Sequence, residues 1–68
     1  MFIIKVREST WVAGVNRQHQ IVSMSRIPAA AKMFKTKKAA ASFIQRYADT
    51  GYGISTNATV EQFQSQWL

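Results

Sequence analysis

Residues 34–48 read FKTKKAAASFIQRYA, and this stretch decides the fold because it predicts the main helix of the chain. Thr36 is a favourable N-cap residue, so the predicted helix covers residues 37–49. Phe34 is expected to point inward before the helix, and Gly51 supplies the left-handed conformation that commonly follows the last turn. Apolar side chains recur at the spacing of a helix with one buried face, which we expect to pack in the core. They are Ala40, Phe43, Ile44, Tyr47 and Ala48.

The residues before this helix predict three β-strands. Residues 2–8 alternate between the two faces of a strand. One face holds Phe2, Ile4 and Val6, and the other holds Ile3, Lys5 and Arg7. Segments 11–15 and 20–26 predict two further strands, and Gly14 marks a β-bulge or a close backbone approach. The polar residues 16–19 predict a hairpin turn, in which we expect His19 to be an exposed surface residue.

Two segments on either side of the main helix complete the pattern. Pro28 suits the first position of a short helix over 29–33. Residues 58–63 favour a fourth strand, because β-branched side chains recur there. Thr59 and Gln62 also fit a helical capping box, which leaves a C-terminal helix as the alternative. In that helix one face would hold Val60, Phe63 and Trp67.

Together these elements predict an α+β fold in a single domain over residues 1–68. We expect a small antiparallel sheet of three or four strands packed against one main helix, in the order β-β-β-α-β. The helical stripe should cover the face of the sheet that holds Phe2, Ile4 and Val6. At 68 residues without cysteine, the chain must stabilise this fold without disulfides.

The composition supplies few groups for enzymatic chemistry. The sequence has no cysteine, which excludes thiol catalysis and every cysteine-based metal site. The only histidine is His19, and the only carboxylate side chains are Glu8, Asp49 and Glu61. No two of these carboxylates lie within ten residues of each other in sequence, whereas paired acid–base catalysis needs a cluster. We therefore expect a protein that is not an enzyme and that holds no metal and no cofactor.

The first residues of the chain lack the pattern of a secretory or membrane segment. The sequence MFIIKVRE opens with four apolar residues before Lys5. A signal peptide needs an apolar run of about 7–15 residues, and a membrane span needs about 20. We expect a cytoplasmic protein, with no membrane among its partners.

One cluster of lysines favours a binding function. Lys32, Lys35, Lys37 and Lys38 fall within seven residues, and the last two occupy the first turn of the predicted helix. Cations are unfavourable there by roughly 0.3–1 kcal/mol each, because the helix dipole places positive charge at the N-terminus. A phosphate group would reverse that interaction and would also meet free backbone N–H groups. The alternative is a set of ordinary surface lysines, whose repulsion salt screens.

The charge balance favours acidic partners. The formal net charge is +6, from nine Lys and Arg residues against three Asp and Glu residues. If the strands pair as predicted, further cations would lie beside the helix start and form one electropositive surface. These candidates for phosphate binding are Lys5, Arg7, Arg17 and Arg26. Trp11 favours core packing over stacking on an unpaired base, and both interpretations stay open for Trp67.

A strand that begins TWVAGV at Thr10 is followed by a third strand and by the helix entry FKTKKA, residues 34–39. This arrangement resembles the arm-type DNA-binding domain of phage-type tyrosine integrases, with its F-x-T-K-K-x-A entry to the helix. Members of that family lay a three-stranded sheet in the DNA major groove, so the resemblance implies DNA binding. It covers about half of the chain, and the insertion IPAAAKM before Phe34 departs from it.

A second resemblance rests on Ala31, Phe34, Thr36 and Ala40, followed by the closing segment ATVEQF. These positions are similar to small orphan proteins carried by phages and prophages of Gram-positive bacteria, some of which bind a host protein. We therefore expect a small basic binding protein of phage or mobile-element type that engages nucleic acid mainly through phosphate contacts. The alternative is a protein-binding module, such as an inhibitor of a host defence protein, that contacts an acidic surface. Exposed strand edges also favour a homodimer.

Overall fold

An antiparallel four-stranded sheet and one α-helix form the fold in the computed structural model, which describes residues 1–64 and 66. The elements are β1 (Phe2–Arg7), β2 (Thr10–Asn16), β3 (Ile21–Ser25), α1 (Lys37–Tyr47) and β4 (Thr59–Gln62). The strand order is β3-β2-β1-β4, and every neighbouring pair is antiparallel. The predicted α+β fold and its β-β-β-α-β order are confirmed. The C-terminal segment forms a strand, while Trp67 lies outside the described residues.

Helix α1 covers one face of the sheet, as its apolar stripe predicts. Ala40 and Tyr47 are buried, and Phe43 and Ile44 pack against the same core at partial exposure. The sheet contributes buried and half-buried side chains from all four strands to this core: Phe2, Ile4, Val6, Val12, Val15, Val22, Met24 and Val60. Ile4 and Val12 are fully buried. This helix-side core therefore holds the side chains that the alternation of β1 assigns to it.

The two ends of α1 differ in how well the sequence predicts them. The N-cap is confirmed, because the Thr36 hydroxyl accepts a hydrogen bond of 3.1 Å from the backbone N–H of Ala39. The C-terminal boundary at residue 49 is wrong, because the helix ends at Tyr47. Asp49 adopts the left-handed conformation, with φ of 58°, and Gly51 adopts it in the following turn. An aspartate tolerates this conformation well, so the reversal begins before the glycine.

A segment that follows β3 is inserted between the first two strands. β1 and β2 pair at Lys5↔Trp11 and Arg7↔Thr10. Beyond that point the backbone N–H of Lys32 donates to the carbonyl of Val12 at 2.8 Å. Phe34 and Phe2 exchange two backbone hydrogen bonds of 2.8 Å across an antiparallel bridge. The segment 32–34, which we call the wedge, thus supplies backbone partners to both strands.

The wedge explains why the predicted short helix over 29–33 is wrong. Pro28 does occupy the first position of a helical turn, but this is a 3₁₀ turn that covers only Pro28–Ala30. Ala31 is already extended, with φ of −71° and ψ of 154°. Extended backbone is required next because the wedge pairs with the sheet. Phe34 is 8% exposed, so the expectation that it points inward is confirmed.

Two register shifts redistribute side chains between the faces of the sheet. The shift in β2 falls between Val12 and Gly14, so the predicted bulge is confirmed. A close backbone approach at Gly14 is wrong, since an added Cβ would meet no atom within 4 Å. The shift in β1 falls between Lys5 and Arg7. A one-residue slip moves the following side chain to the opposite face of the strand.

The face of the sheet opposite α1 carries a smaller core. Ile3, Trp11 and Ala31 are buried there, and Met33 and Phe63 pack against them. The indole N–H of Trp11 donates a 3.0 Å hydrogen bond to the carboxylate of Glu61 on β4. Trp11 is 7% exposed, so the expected core packing of this residue is confirmed.

The connection from α1 to β4 runs past the outer edge of β3. The backbone N–H of Val22 donates to the carbonyl of Tyr52 at 2.8 Å. Ile54 and Ala58 from the same connection are buried in the helix-side core. The helices that the structure describes are too short or too polar to traverse a lipid bilayer.

Candidate functional site

A cleft of about 660 Å³ opens between α1 and the end of β2. Three aromatic residues, Phe34, Phe43 and Tyr47, are among those that line it, and we call them its aromatic floor. Phe34 comes from the wedge, and the other two come from the core-facing stripe of the helix. Val15 and Ala39 complete the apolar part of the lining. The cleft is therefore built where the helix, the sheet and the wedge meet.

Three cationic side chains from three separate elements line this cleft. Arg17 lies in the turn after β2, Lys32 lies in the wedge, and Arg46 lies in the last turn of α1. All three residues are exposed, and the lining includes no carboxylate. We call this site the cationic cleft. Its charges attract an anion, because nothing in the lining neutralises them.

The three aromatic rings of the floor contact one another in sequence, and only Phe43 is partly exposed. The centroids of Phe34 and Phe43 are 5.4 Å apart in an edge-to-face arrangement, and those of Phe43 and Tyr47 are 4.7 Å apart. Phe34 and Tyr47 are buried, whereas Phe43 is only half-buried. The ammonium nitrogen of Lys32 lies 5.7 Å from the centroid of the Phe34 ring. A cation–π contact of this length holds a positive charge over the floor.

One exposed stripe of α1 leads into the cleft. Lys38, Ser42 and Arg46 are spaced four residues apart, so they share one face of the helix. Ser42 and Arg46 line the cleft, and Lys38 continues the stripe toward the N-terminus. At 1.5 Å per residue the stripe is about 12 Å long. A hydroxyl group between two cations can donate a hydrogen bond to the same anion that the cations attract.

The structure divides the predicted lysine cluster. Lys35, Lys37 and Lys38 are all exposed around the start of α1, whose first turn contains no acidic residue. Within the described part of the chain, none of the three forms an ion pair. Lys37 is nine positions from Arg46, which places the two on opposite sides of the helix axis, about 180° apart. Lys38 therefore belongs to the cleft side of the helix, and Lys37 does not.

The remaining predicted cations lie on different faces of the sheet or just beyond its strands. Lys5 is directly opposite Trp11, on the face of the sheet that carries the smaller core. Arg7 lies on the other face, because its guanidinium contacts the sulfur of Met24 at 3.8 Å and Met24 packs against the helix-side core. The expectation that Lys5 and Arg7 share a face is therefore wrong, and the register shift in β1 is the reason. Arg26 is exposed directly after β3.

Two parts of the site were not predicted from the sequence. Arg46 was not among the candidate residues, although the four-residue spacing from Lys38 through Ser42 is a signal for it. The aromatic floor was interpreted as core alone, and its packing does confirm that interpretation for Tyr47 and Phe43. The sequence contains no local signal that one ring of this core borders a cleft.

The described residues contain no group of three or more His, Asp or Glu side chains placed to hold a metal ion. His19 is exposed in the turn after β2, as predicted, and its backbone N–H donates to the Asn16 side chain at 3.1 Å. The groups of the cationic cleft that can contact a ligand are therefore its three cations, the hydroxyl of Ser42 and the aromatic side chains.

The chain was compared with protein families, curated proteins and solved structures. No protein-family model, curated protein sequence or solved structure matches the chain.

Proposed function

We propose that this protein binds nucleic acid, mainly through phosphate contacts made by the cationic cleft and the adjoining helix stripe. The observation that carries the proposal is the convergence of Arg17, Lys32 and Arg46, from three elements, on a cleft with no lining carboxylate. Phosphate groups are the recurrent anions of a nucleic-acid backbone, and arginine and lysine are their usual partners. Lys38 extends the same charge along the helix.

The net charge of +6 supports the same function. Neutralisation of backbone phosphates releases condensed counterions, which supplies most of the affinity of sequence-independent binding. The resemblances to phage proteins support a phage or mobile-element origin, and the integrase resemblance supports DNA as the nucleic acid. The interface proposed from the fold nevertheless lies on the helix side and excludes Lys5.

A second candidate function, a module that binds an acidic host protein, has one observation in its favour. β3 is an outer strand of the sheet; its first residue, Ile21, is 50% exposed, and Ile27, which follows the strand, is 62% exposed. Exposed apolar residues at a sheet edge are typical of a protein-binding surface. The aromatic lining of the cationic cleft favours nucleic acid over this alternative.

A salt titration tests the proposal. Binding of labelled single-stranded and duplex DNA would be measured by fluorescence anisotropy at several salt concentrations. Phosphate contacts predict that log affinity falls linearly with log salt concentration, with a slope near −0.9 per phosphate neutralised on duplex and about −0.7 on single strands. Replacement Arg46→Gln should weaken binding and flatten the slope by roughly one unit.

The matched control is Lys37→Gln, since Lys37 is an equally exposed helix cation on the far side of the axis from Arg46. This variant should retain most of the wild-type affinity and slope. No binding of either DNA at low salt would overturn the proposal. Salt-insensitive binding would also overturn it, and equal losses in the two variants would remove the cleft from the interface.

A further inference from the structure

The cationic cleft combines charge with an aromatic surface, and a phosphate alone would use only the charge. The volume of about 660 Å³ is comparable to that of small-molecule sites, roughly 300–1,000 Å³, although the cleft is partly open to solvent. On the premise that the proposed function holds, we infer that the cleft takes one unpaired nucleotide of a single-stranded nucleic acid. The base packs against Phe43, and the phosphate lies among Arg17, Lys32 and Arg46.

The exposure of the three aromatic residues indicates which ring can contact a base. Phe34 and Tyr47 are buried by their neighbours, so they offer little surface to a ligand. Phe43 is half-buried and packs against both of them, which fixes its orientation. A ring held in this way presents its exposed part without loss of conformational entropy on binding.

The position of Lys32 supports a preformed phosphate site. Its backbone N–H is bonded to Val12 in the sheet, and its ammonium group lies over Phe34. The backbone of Lys32 is therefore fixed by the sheet, and its ammonium group lies beside the ring of Phe34 before any ligand binds. Arg46 approaches from the helix and Arg17 from the turn, so an anion between them would be contacted from three directions.

An unpaired base is required because a duplex covers both faces of each base with its neighbours. A duplex can therefore reach the cations at the rim of the cleft but not the ring of Phe43. A single strand can reach both. Contacts between bases and aromatic rings are tolerant of sequence, since every base has a π-face. We expect preference for single strands without strong preference for one base.

The test compares two variants, each of which replaces one exposed alanine of α1 with phenylalanine. Ala39 lines the cleft, whereas Ala41 does not, and both are exposed. Ala39→Phe should fill the cleft and weaken binding of a labelled oligothymidylate by roughly 5- to 150-fold, the effect of losing one base–aromatic contact. Binding of a duplex of the same length should change much less, because its paired bases do not reach the ring of Phe43. Ala41→Phe should leave both affinities near wild type.

Chemical-shift mapping on the wild-type protein supplies a readout that does not depend on a variant. Addition of oligothymidylate should shift the amide signals of Ser42, Phe43 and Arg46 most strongly, and addition of duplex should shift Lys38 and Arg46 but not Phe43. Shifts that avoid Phe43 would overturn the inference. Equal loss of single-strand and duplex binding in Ala39→Phe would also overturn it, because the cleft would then bind phosphate only.

These outcomes differ from failure of the proposed function. If neither nucleic acid binds the wild-type protein at low salt, the proposed function fails and the inference fails with it. If both bind with equal affinity and Ala39→Phe changes neither, the proposed function stands and the inference alone is overturned. Signals of β3 and Ile27 that shift on addition of an acidic protein, with no response to DNA, would favour the second candidate function.

Discussion

The two faces of the sheet are closed by different means. On one face, α1 covers a large core, and the flank of the helix that remains exposed carries cations and borders a cleft. On the other face, a smaller core is closed by Trp11, which is hydrogen-bonded to a carboxylate on β4. Glu61 and Lys5 both lie on this second face, so acidic and basic groups occur together there. On the helix side, the cleft gathers cations alone, which is why we place function there.

The largest expected effect comes from removing a buried side chain on each face in turn. Ile3 and Ile4 are neighbours in β1, are both 0% exposed, and point to opposite cores. Each change to alanine should cost about 2–5 kcal/mol of unfolding free energy, with Ile4→Ala the larger because its core is larger and collapses less readily. Urea denaturation followed by circular dichroism measures both. A larger cost for Ile3→Ala would mean that the smaller core dominates stability.

The hydrogen bond on the face opposite the helix gives the next effect. Replacement Glu61→Leu removes the carboxylate that accepts from the Trp11 indole and should cost about 1–2 kcal/mol, because a part-buried hydrogen bond is lost. Glu61→Gln keeps a side-chain oxygen and should retain most of the stability. The same urea titrations, with tryptophan fluorescence as the signal, compare the two variants. Equal stability of both would show that this contact does not help to close the face.

The helix cap tests how firmly the helix-side face is closed. Thr36→Ala removes the hydroxyl that accepts from Ala39 and should cost about 1 kcal/mol. Thr36→Ser keeps the hydroxyl and serves as the control. Thermal unfolding by circular dichroism gives the difference. If alanine and serine variants melt together, the first turn is held by packing alone.

The smallest expected change in stability comes from a variant that should change stability and DNA affinity in opposite directions. Lys38→Glu places an acid in the first turn of α1, where the helix dipole favours it by roughly 0.3–1 kcal/mol. The variant should unfold at slightly higher urea concentration and bind DNA more weakly than wild type. Parallel urea and anisotropy titrations measure both quantities. A variant that gains stability and keeps full affinity would remove Lys38 from the interface.

Local patterns in the sequence predict most of the fold. The alternation in β1 up to Val6, the Thr36 cap and the apolar stripe of α1 each depend on near neighbours in the chain, and the structure confirms them. The position of Asp49 at the helix end was missed because aspartate and glycine can both adopt the left-handed conformation. The wedge was missed because its hydrogen-bond partners, Val12 and Phe2, are distant in sequence.

The candidate site was less predictable for the same reason. Lys32 and Arg17 were identified as cations, but their meeting with Arg46 depends on the wedge and on the packing of α1 against the sheet. The sequence shows Lys37 and Lys38 as equivalent neighbours, although the helix turns them to different sides. Arg7 was assigned to the wrong face because a bulge leaves no clear mark in the alternation of β1.

The wedge also limits how this protein can vary in length. Connections between secondary-structure elements usually accept insertions, because their backbone is solvated. The connection from β3 to α1 cannot do so freely, since its residues 32–34 supply backbone hydrogen bonds to β1 and β2. The exposed turn after β2 is constrained only by the position of Arg17, which lines the cleft. Related chains that preserve this architecture should therefore differ in length at the hairpin tip and hold a constant spacing from β3 to the helix.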